Sequence, residues 1–282
     1  IKDIRFSIIL GVNTLYNGLL NAPHFHRVDF SELKFCFSGG AATQRAVAKR
    51  WENVTGHKIV EGYGLTEASP VVAVNWLGTE SFTGTVGQPL PSTEVRIVDP
   101  VGGIIGPGQV GELFVRGPQV MKGYWNKPDE TADTFGATLD GEPDQKWLRT
   151  GDLGFLSDGE LFIVGRLKDL LIVRGRNHYP DDIEATVAEF TGGRVAAVSV
   201  PDEASERLVV IAELKKQLDE SVLDSVKQQV TSAVSMTHSV RLSDFVLVGP
   251  GSLPLTTSGK VRRASSVQLY REDKFSRLDA TT

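Results

Sequence analysis

Hydrophobic periodicity changes twice along this chain, near Thr85 and near Lys168, and those changes constrain its architecture more than any other feature. The first stretch has a strand–loop–helix–strand rhythm. Leu33 to Phe37 reads as a buried strand, which runs into Ser38-Gly39-Gly40. A helix is expected from about Thr43 to Val54, with Val47, Trp51 and Val54 on one apolar face. Lys58 to Glu61 reads as the next strand, so an α/β layer is predicted. After Thr85 come short β-rich runs, Glu94–Val98, Glu112–Arg116 and Glu160–Val164, separated by Gly, Pro and Asp. That spacing predicts a small antiparallel barrel or sheet.

Near Lys168 the pattern changes again. A strand is expected over Asp169–Val173. A helix should open at Pro180, with Asp181 and Asp182 in its first turn, where acids suit the helix dipole. Ile183, Val187 and Phe190 mark its buried face. Strands at Val195–Val200 and Leu208–Leu214, a helix at Glu220–Ser235 and a strand at Phe245–Val248 complete a β-α-β-β-α-β module. Val222, Val226, Val230 and Val234 mark the buried stripe of that second helix. The expected fold class is α/β plus a small β-barrel-like subdomain, followed by a smaller α+β C-terminal domain. The expected boundaries are 1–85, 86–167 and 168–282.

Composition narrows the function. The 282 residues are 40% apolar and 23% charged, as in a folded soluble protein. A net charge of −5 argues against nucleic acid as the main partner. No apolar run approaches the roughly 18 residues of a membrane span, and no secretory signal is visible. The single cysteine, Cys36, excludes an internal disulfide and suits a cytoplasmic protein. It reads as a buried small hydrophobe. His24 and His26 read as surface histidines, since no third zinc ligand is near in sequence. The basic tail reads as a solvated helix beyond Arg263, because Glu272 and Asp273 interleave there.

Two nucleotide fingerprints fail. Gly106-Pro107-Gly108-Gln109-Val110-Gly111 fits G-x-G-x-x-G, but it precedes a strand where that motif must open a helix. It reads as a turn. Ser258-Gly259-Lys260 ends like a P-loop, yet Val261 stands where a magnesium-binding hydroxyl belongs. Four other segments carry suitable chemistry. Gly62-Tyr63-Gly64-Leu65-Thr66-Glu67 offers a stacking aromatic, a hydroxyl for phosphate and a carboxylate for magnesium. Arg149-Thr150-Gly151-Asp152 sets a carboxylate after a tight turn, apt for a ribose diol. Gly165-Arg166-Leu167-Lys168-Asp169 concentrates charge at the second boundary. Pro254 to Lys260 presents one lysine on a hydroxyl-rich loop. Taken singly, each has an ordinary reading: a capped turn, a β-turn, a surface linker and an exposed lysine.

Taken in order, these segments resemble the core motifs of the adenylate-forming superfamily, which holds acyl-CoA synthetases, luciferases, adenylation domains and fatty acyl-AMP ligases. The resemblance covers essentially the whole chain and implies roles residue by residue. Gly39, Gly40 and Ala41 face adenine and the acyl chain. Tyr63, beside Gly64, stacks on adenine. Thr66 contacts the α-phosphate, and Glu67 is the magnesium ligand. Asp152 binds the ribose hydroxyls, and Arg166 lies near ribose and phosphates. Lys168 is a hinge, with Gly175 in a glycine-rich loop suited to its motion. Lys260 is the adenylation lysine. His178 orients a loop near the hinge and has no catalytic role.

The implied activity is ATP-dependent conversion of a long-chain fatty acid to acyl-AMP, with ATP/AMP and Mg2+ as cofactors. The carboxylate attacks the α-phosphate and pyrophosphate leaves. No general base is required, because the carboxylate is already ionised. The stretch up to about Pro128, including "EGYGLTEASPVVAVN", resembles bacterial long-chain acyl-CoA ligases. The later stretch, including "GSLPLTTSGKVRRAS", resembles mycobacterial fatty acyl-AMP ligases. The implied acceptor is a carrier-protein or polyketide-synthase thiol, with CoA as the alternative. A non-catalytic carrier-docking or nucleotide-binding module is a further alternative. Residue 1 is Ile, and the family's phosphate loop is not found. The resemblance therefore predicts a segment inactive by itself, whose α/β part up to Asn75 exposes apolar surface and is poorly ordered or paired with another chain.

Overall fold

The computed structural model describes residues 5–40, 42–76, 78, 83–173, 176–201, 206–215, 220–257 and 259–278. It divides into two units, Ile1–Leu167 and Lys168–Thr282.

In the first unit, strands β1 (Ile8–Gly11), β2 (Phe35–Gly39) and β3 (Ile59–Gly64) pair in parallel. Helices α1 (Asn13–Leu20) and α2 (Arg45–Thr55) make the two crossovers. Strands β4 (Val71–Val74) and β5 (Gln88–Pro89) then add antiparallel, so this sheet runs past residue 85 to Pro89. One face is packed by Tyr16, Phe25, Leu33, Cys36, Val47, Trp51 and Ile59. Trp51 meets Tyr16 edge-on, with ring centroids 4.7 Å apart, and its indole N–H points at Cys36 Sγ at 3.4 Å. Alternation along β1 turns Ile8 and Leu10 the other way, where they are 56% and 66% exposed. The expected apolar exposure is present there. The expected apolar face of α2 holds for Val47 and Trp51 but not for Val54, which is exposed. In the last turn Thr55 turns inward instead and bonds the Trp51 carbonyl.

The β-rich part is an antiparallel sheet in the order β10-β9-β7-β6. Its strands are β6 (Glu94–Val98), β7 (Gly111–Arg116), β9 (Glu142–Ser157) and β10 (Glu160–Arg166). Helix α3 (Pro128–Phe135) and strand β8 (Ala137–Leu139) lie against β9. The Gly106–Gly111 segment leads into β7, with Gly108 at φ +77°, as the turn reading requires.

In the second unit, β11 (Leu171–Val173) and β12 (Arg176–His178) form a hairpin ahead of α4 (Pro180–Thr191). Pro180 occupies the first turn, and Gly192 ends the helix at φ +64°. Strands β13 (Gly192–Pro201), β14 (Glu206–Leu214) and β15 (Asp244–Val248) form one sheet, with α5 (Glu220–His238) crossing between β14 and β15. Phe190 and Val222 are exposed, contrary to expectation, while Ile183, Val187, Leu223, Val230 and Val234 form the core with one face of the sheet. Helix α6 (Arg263–Arg271) corrects another expectation. It is not a solvated helix: its Val267, Leu269 and Tyr270, with Phe275 beyond its end, cover the sheet's second face, beside Ala196, Val198 and Val246. Interleaved charge hid this, because only one side of the helix is apolar. No helix among the described residues is long and apolar enough to cross a membrane.

Candidate functional site

The first unit builds its site at the end of β3. Gly64 lies against the Pro70 carbonyl so closely that a side-chain carbon there would collide with it. This contact reverses the chain into the short 3-10 turn Thr66–Ala68. Tyr63 is buried beside Ala68, Val72, Val95 and Leu148, and its hydroxyl donates to Asp152 Oδ2 at 2.6 Å.

Asp152 reaches that position through an irregularity in β9. Pairing with β7 jumps from Glu112↔Leu153 to Phe114↔Arg149, so Thr150-Gly151-Asp152 bulges opposite Leu113. The expected tight turn is therefore a bulge inside a strand. Gly151 takes φ +69°. The Thr150 hydroxyl donates to the Leu113 carbonyl at 2.9 Å and accepts the Asp152 N–H at 3.0 Å, which holds the bulge. The Asp152 residue is only 4% exposed. Arg166, its register partner at the end of β10, contacts Asp152 Oδ1 through Nε at 3.0 Å. Burial, and then the Asp152 charge, push the Tyr63 phenol far above its ordinary pKa, so this tyrosine is a fixed donor.

Thr66 is exposed and Glu67 half-buried. Tyr124, which sequence reasoning did not single out, donates from its hydroxyl to Glu67 Oε1 at 2.7 Å. The Glu67 carbonyl accepts the Met121 N–H at 2.9 Å. Among the described residues no group of three or more His, Cys, Asp or Glu side chains is arranged to hold a metal ion. A lone carboxylate suits magnesium, which is commonly held by one or two carboxylates together with substrate phosphates and water.

Gly39 ends β2 beside Gly62, and Gly40 follows at φ +78°. Ala41 lies outside the described residues. The glycine turn rests on a buried polar group that was also missed. The Thr43 hydroxyl donates to Ser38 Oγ at 2.8 Å, and the Thr43 N–H donates to Glu61 Oε1 at 3.0 Å. Burial raises the Glu61 carboxyl, and the Thr43 bonds only partly oppose it. No spacing rule pairs residues this far apart; a carboxylate inside the short run Ile59–Gly64 of β3, where Ile59 to Tyr63 are all buried, is the one available signal.

In the second unit, Lys168 is exposed in the 3-10 turn Leu167–Asp169, and Gly175 lies outside the described residues. Lys260 is exposed on a small hairpin closed by the Leu255↔Val261 bridge. His178 is half-buried; burial, then His238 and Arg176, lower its pKa. His24 and His26 are exposed and Cys36 is buried, as expected.

Both units match known protein families. The AMP-binding enzyme family matches residues 1–125, and the Disco-interacting protein 2-like AMP domain matches residues 168–279. The chain is 51% identical over 250 residues to the long-chain-fatty-acid–AMP ligase FadD26 of Mycobacterium marinum, covering 85% of this chain and 41% of that protein. It is 56% identical over 216 residues to the putative fatty-acid–CoA ligase FadD21 of Mycobacterium bovis, covering 71% and 37%. Among solved structures, ATP-bound MatB from Rhodopseudomonas palustris superposes with a TM-score of 0.80 at 28% identity, covering 95% of this chain and 52% of that one. The chain thus spans about two fifths of the length of these two curated relatives. It belongs to the adenylate-forming superfamily of AMP-binding enzymes.

Proposed function

We propose that this chain provides the adenosine-holding surface and the activating lysine of a ligase that converts a long-chain fatty acid and ATP to acyl-AMP and pyrophosphate. The observation that carries this reading is the Asp152 carboxylate, desolvated yet anchored by Tyr63 and Arg166. An ionised carboxylate oxygen can accept more than one hydrogen bond, which is what a ribose diol would ask of Asp152. A preformed, buried acceptor orients that sugar without reorganising.

In this reading Tyr63 presents its ring to adenine and keeps its hydroxyl on Asp152. Thr66 offers an exposed hydroxyl to the α-phosphate. Glu67, oriented by Tyr124, would hold magnesium, which neutralises phosphate charge when bound. Lys260 brings an ammonium to the oxygens that gain charge as the fatty carboxylate attacks phosphorus. The new bond joins carboxylate oxygen to the α-phosphorus, and the bond to the β-phosphate oxygen breaks to release pyrophosphate. Lys168 serves as the hinge between a large-domain portion, residues 1–85 and 86–167, and a mobile domain of residues 168–282. The acyl group then passes to a carrier-protein or polyketide-synthase thiol. The name and 56% identity of FadD21 favour CoA as the second reading of the acceptor.

Titration of the chain with AMP tests the adenosine surface. Saturable binding is expected, weakened about tenfold in Asp152→Asn, which corresponds to about 1.4 kcal/mol. Absence of AMP binding, or equal binding by the variant, would refute the reading. In a ligase that joins this chain to a phosphate loop, acyl-AMP accumulating from ATP and a long-chain fatty acid in the presence of CoA supports the thiol-carrier acceptor, whereas acyl-CoA supports the second reading.

A further inference from the structure

Lys260 has an exposed side chain on a backbone that several hydrogen bonds tie down. Thr256 and Lys260 close the hairpin twice, through the Thr256 N–H to the Lys260 carbonyl at 2.8 Å and the Lys260 N–H to Thr256 Oγ1 at 3.0 Å. The Gly259 N–H adds a bond to the Thr256 carbonyl at 2.9 Å, and the Arg262 N–H reaches the Pro254 carbonyl at 2.9 Å. Each stem is then tied to a carboxylate of the same unit. On the incoming stem, the Leu253 N–H donates to Glu213 Oε1 at 3.0 Å, and Glu213 is only 3% exposed at the end of β14.

The outgoing stem is tied by Arg263, which opens α6. Its Nε and Nη2 fork onto the two oxygens of Glu184, both at 2.7 Å. Nη2 also meets Asp181 at 2.7 Å, and Nη1 meets Asp169 at 3.1 Å. Glu184 in turn accepts the Ala197 N–H at 3.0 Å. One guanidinium therefore joins the residue next to Lys168, helix α4, strand β13 and the exit of the lysine hairpin. A helix N-terminus needs no such multiple grip, and a cation is the wrong charge for that end of the dipole. The planar fork is what lets a single side chain hold several carboxylates in fixed directions.

We propose that Arg263, braced by Glu184 and Asp169, is a positioning residue for Lys260. It locks the lysine hairpin to the segment that begins at Lys168, so that hairpin and segment move as one piece. The inference rests on the role assigned to Lys260 above and deepens it.

Amide hydrogen exchange on the full chain tests it. Arg263→Lys keeps the positive charge and removes the fork. Exchange at the Thr256, Gly259 and Lys260 amides should rise about tenfold, with β13 and β14 amides within about twofold of the parent. Asp169→Asn, which leaves the Glu184 fork in place, should raise hairpin exchange about threefold. Hairpin amides at parental rates in either variant would overturn the proposal. An equal rise across β13 and β14 in Arg263→Lys would also overturn it, since the fork would then serve general stability. Exchange judges the brace, and Lys260→Ala judges the reading beneath it. In a ligase that joins this chain to a phosphate loop, pyrophosphate release that survives Lys260→Ala refutes the lysine's role and leaves the exchange result unaltered.

Discussion

Asp152 and Lys260 are the two charges that the proposed reaction most needs, and the chain secures them by opposite means. Asp152 is held by its side chain: buried in a strand bulge, it is gripped by Tyr63 and Arg166. Lys260 is held by its backbone: a pinned hairpin carries an exposed ammonium. The difference follows from what each group meets. A neutral sugar diol gains most from a fixed, desolvated acceptor, because electrostatic interactions strengthen away from water. An ammonium buried before its anion arrives would pay desolvation and lose its proton more readily. Exposing the charge while fixing its support avoids that cost.

Paired substitutions can break this contrast, and glycine offers the largest effect. Gly64→Ala forces a methyl into the Pro70 carbonyl within the densely packed first site. It should cost about 3 kcal/mol in denaturant unfolding. Gly259→Ala meets nothing within 4 Å and suffers only from φ +84°, so about 1–2 kcal/mol is expected. Equal losses would end the claim that the two sites differ in packing.

Titration provides a smaller contrast of opposite sign. Burial raises the Glu61 carboxyl. A proton held more tightly in the folded state gives stability below the unfolded pKa, about 4.3, that is lost as pH climbs through the folded value. Glu61→Gln should therefore melt with the parent at about pH 4 and above it at pH 7. For Asp244 in the second unit, burial alone would raise the pKa, but Arg277 and Tyr270 outweigh it and hold the group low. That stability is present above the unfolded pKa and disappears as pH falls through the folded one. Asp244→Asn should melt below the parent at neutral pH and converge with it in acid. The same sign for both variants would contradict these environments. The smallest change is expected of Lys260→Ala, whose unfolding free energy should stay within about 0.5 kcal/mol of the parent. A larger loss would mean that the lysine side chain supports the fold.

Much of the architecture was legible in the residues. Glu94–Val98 was placed to the residue, and Pro180 with its two acids marked the start of α4. The failures have physical causes. A strict i+4 stripe advances 40° per step beyond a full turn, given about 3.6 residues per turn. Over Val222 to Val234 the stripe winds around α5, leaving Val222 in water and bringing Leu223 inward. Tyr63, Thr66, Glu67, Asp152 and Arg166 could be singled out as candidates because each lies in a short motif with its own chemistry. Tyr124 on Glu67 and Glu61 on Thr43 were not, since those contacts are made by tertiary folding between distant segments. The bulge that delivers Asp152 was likewise invisible, because it depends on how β9 pairs with β7.

Cys36 has one more consequence. It is the sole thiol in the chain, and it sits wholly enclosed against the Trp51 indole. An alkylating reagent can reach it only when α2 lifts away from the parallel strands. Its labelling rate is thus a clock for the opening of that layer, carrying no contribution from any other sulfhydryl and requiring no engineered probe.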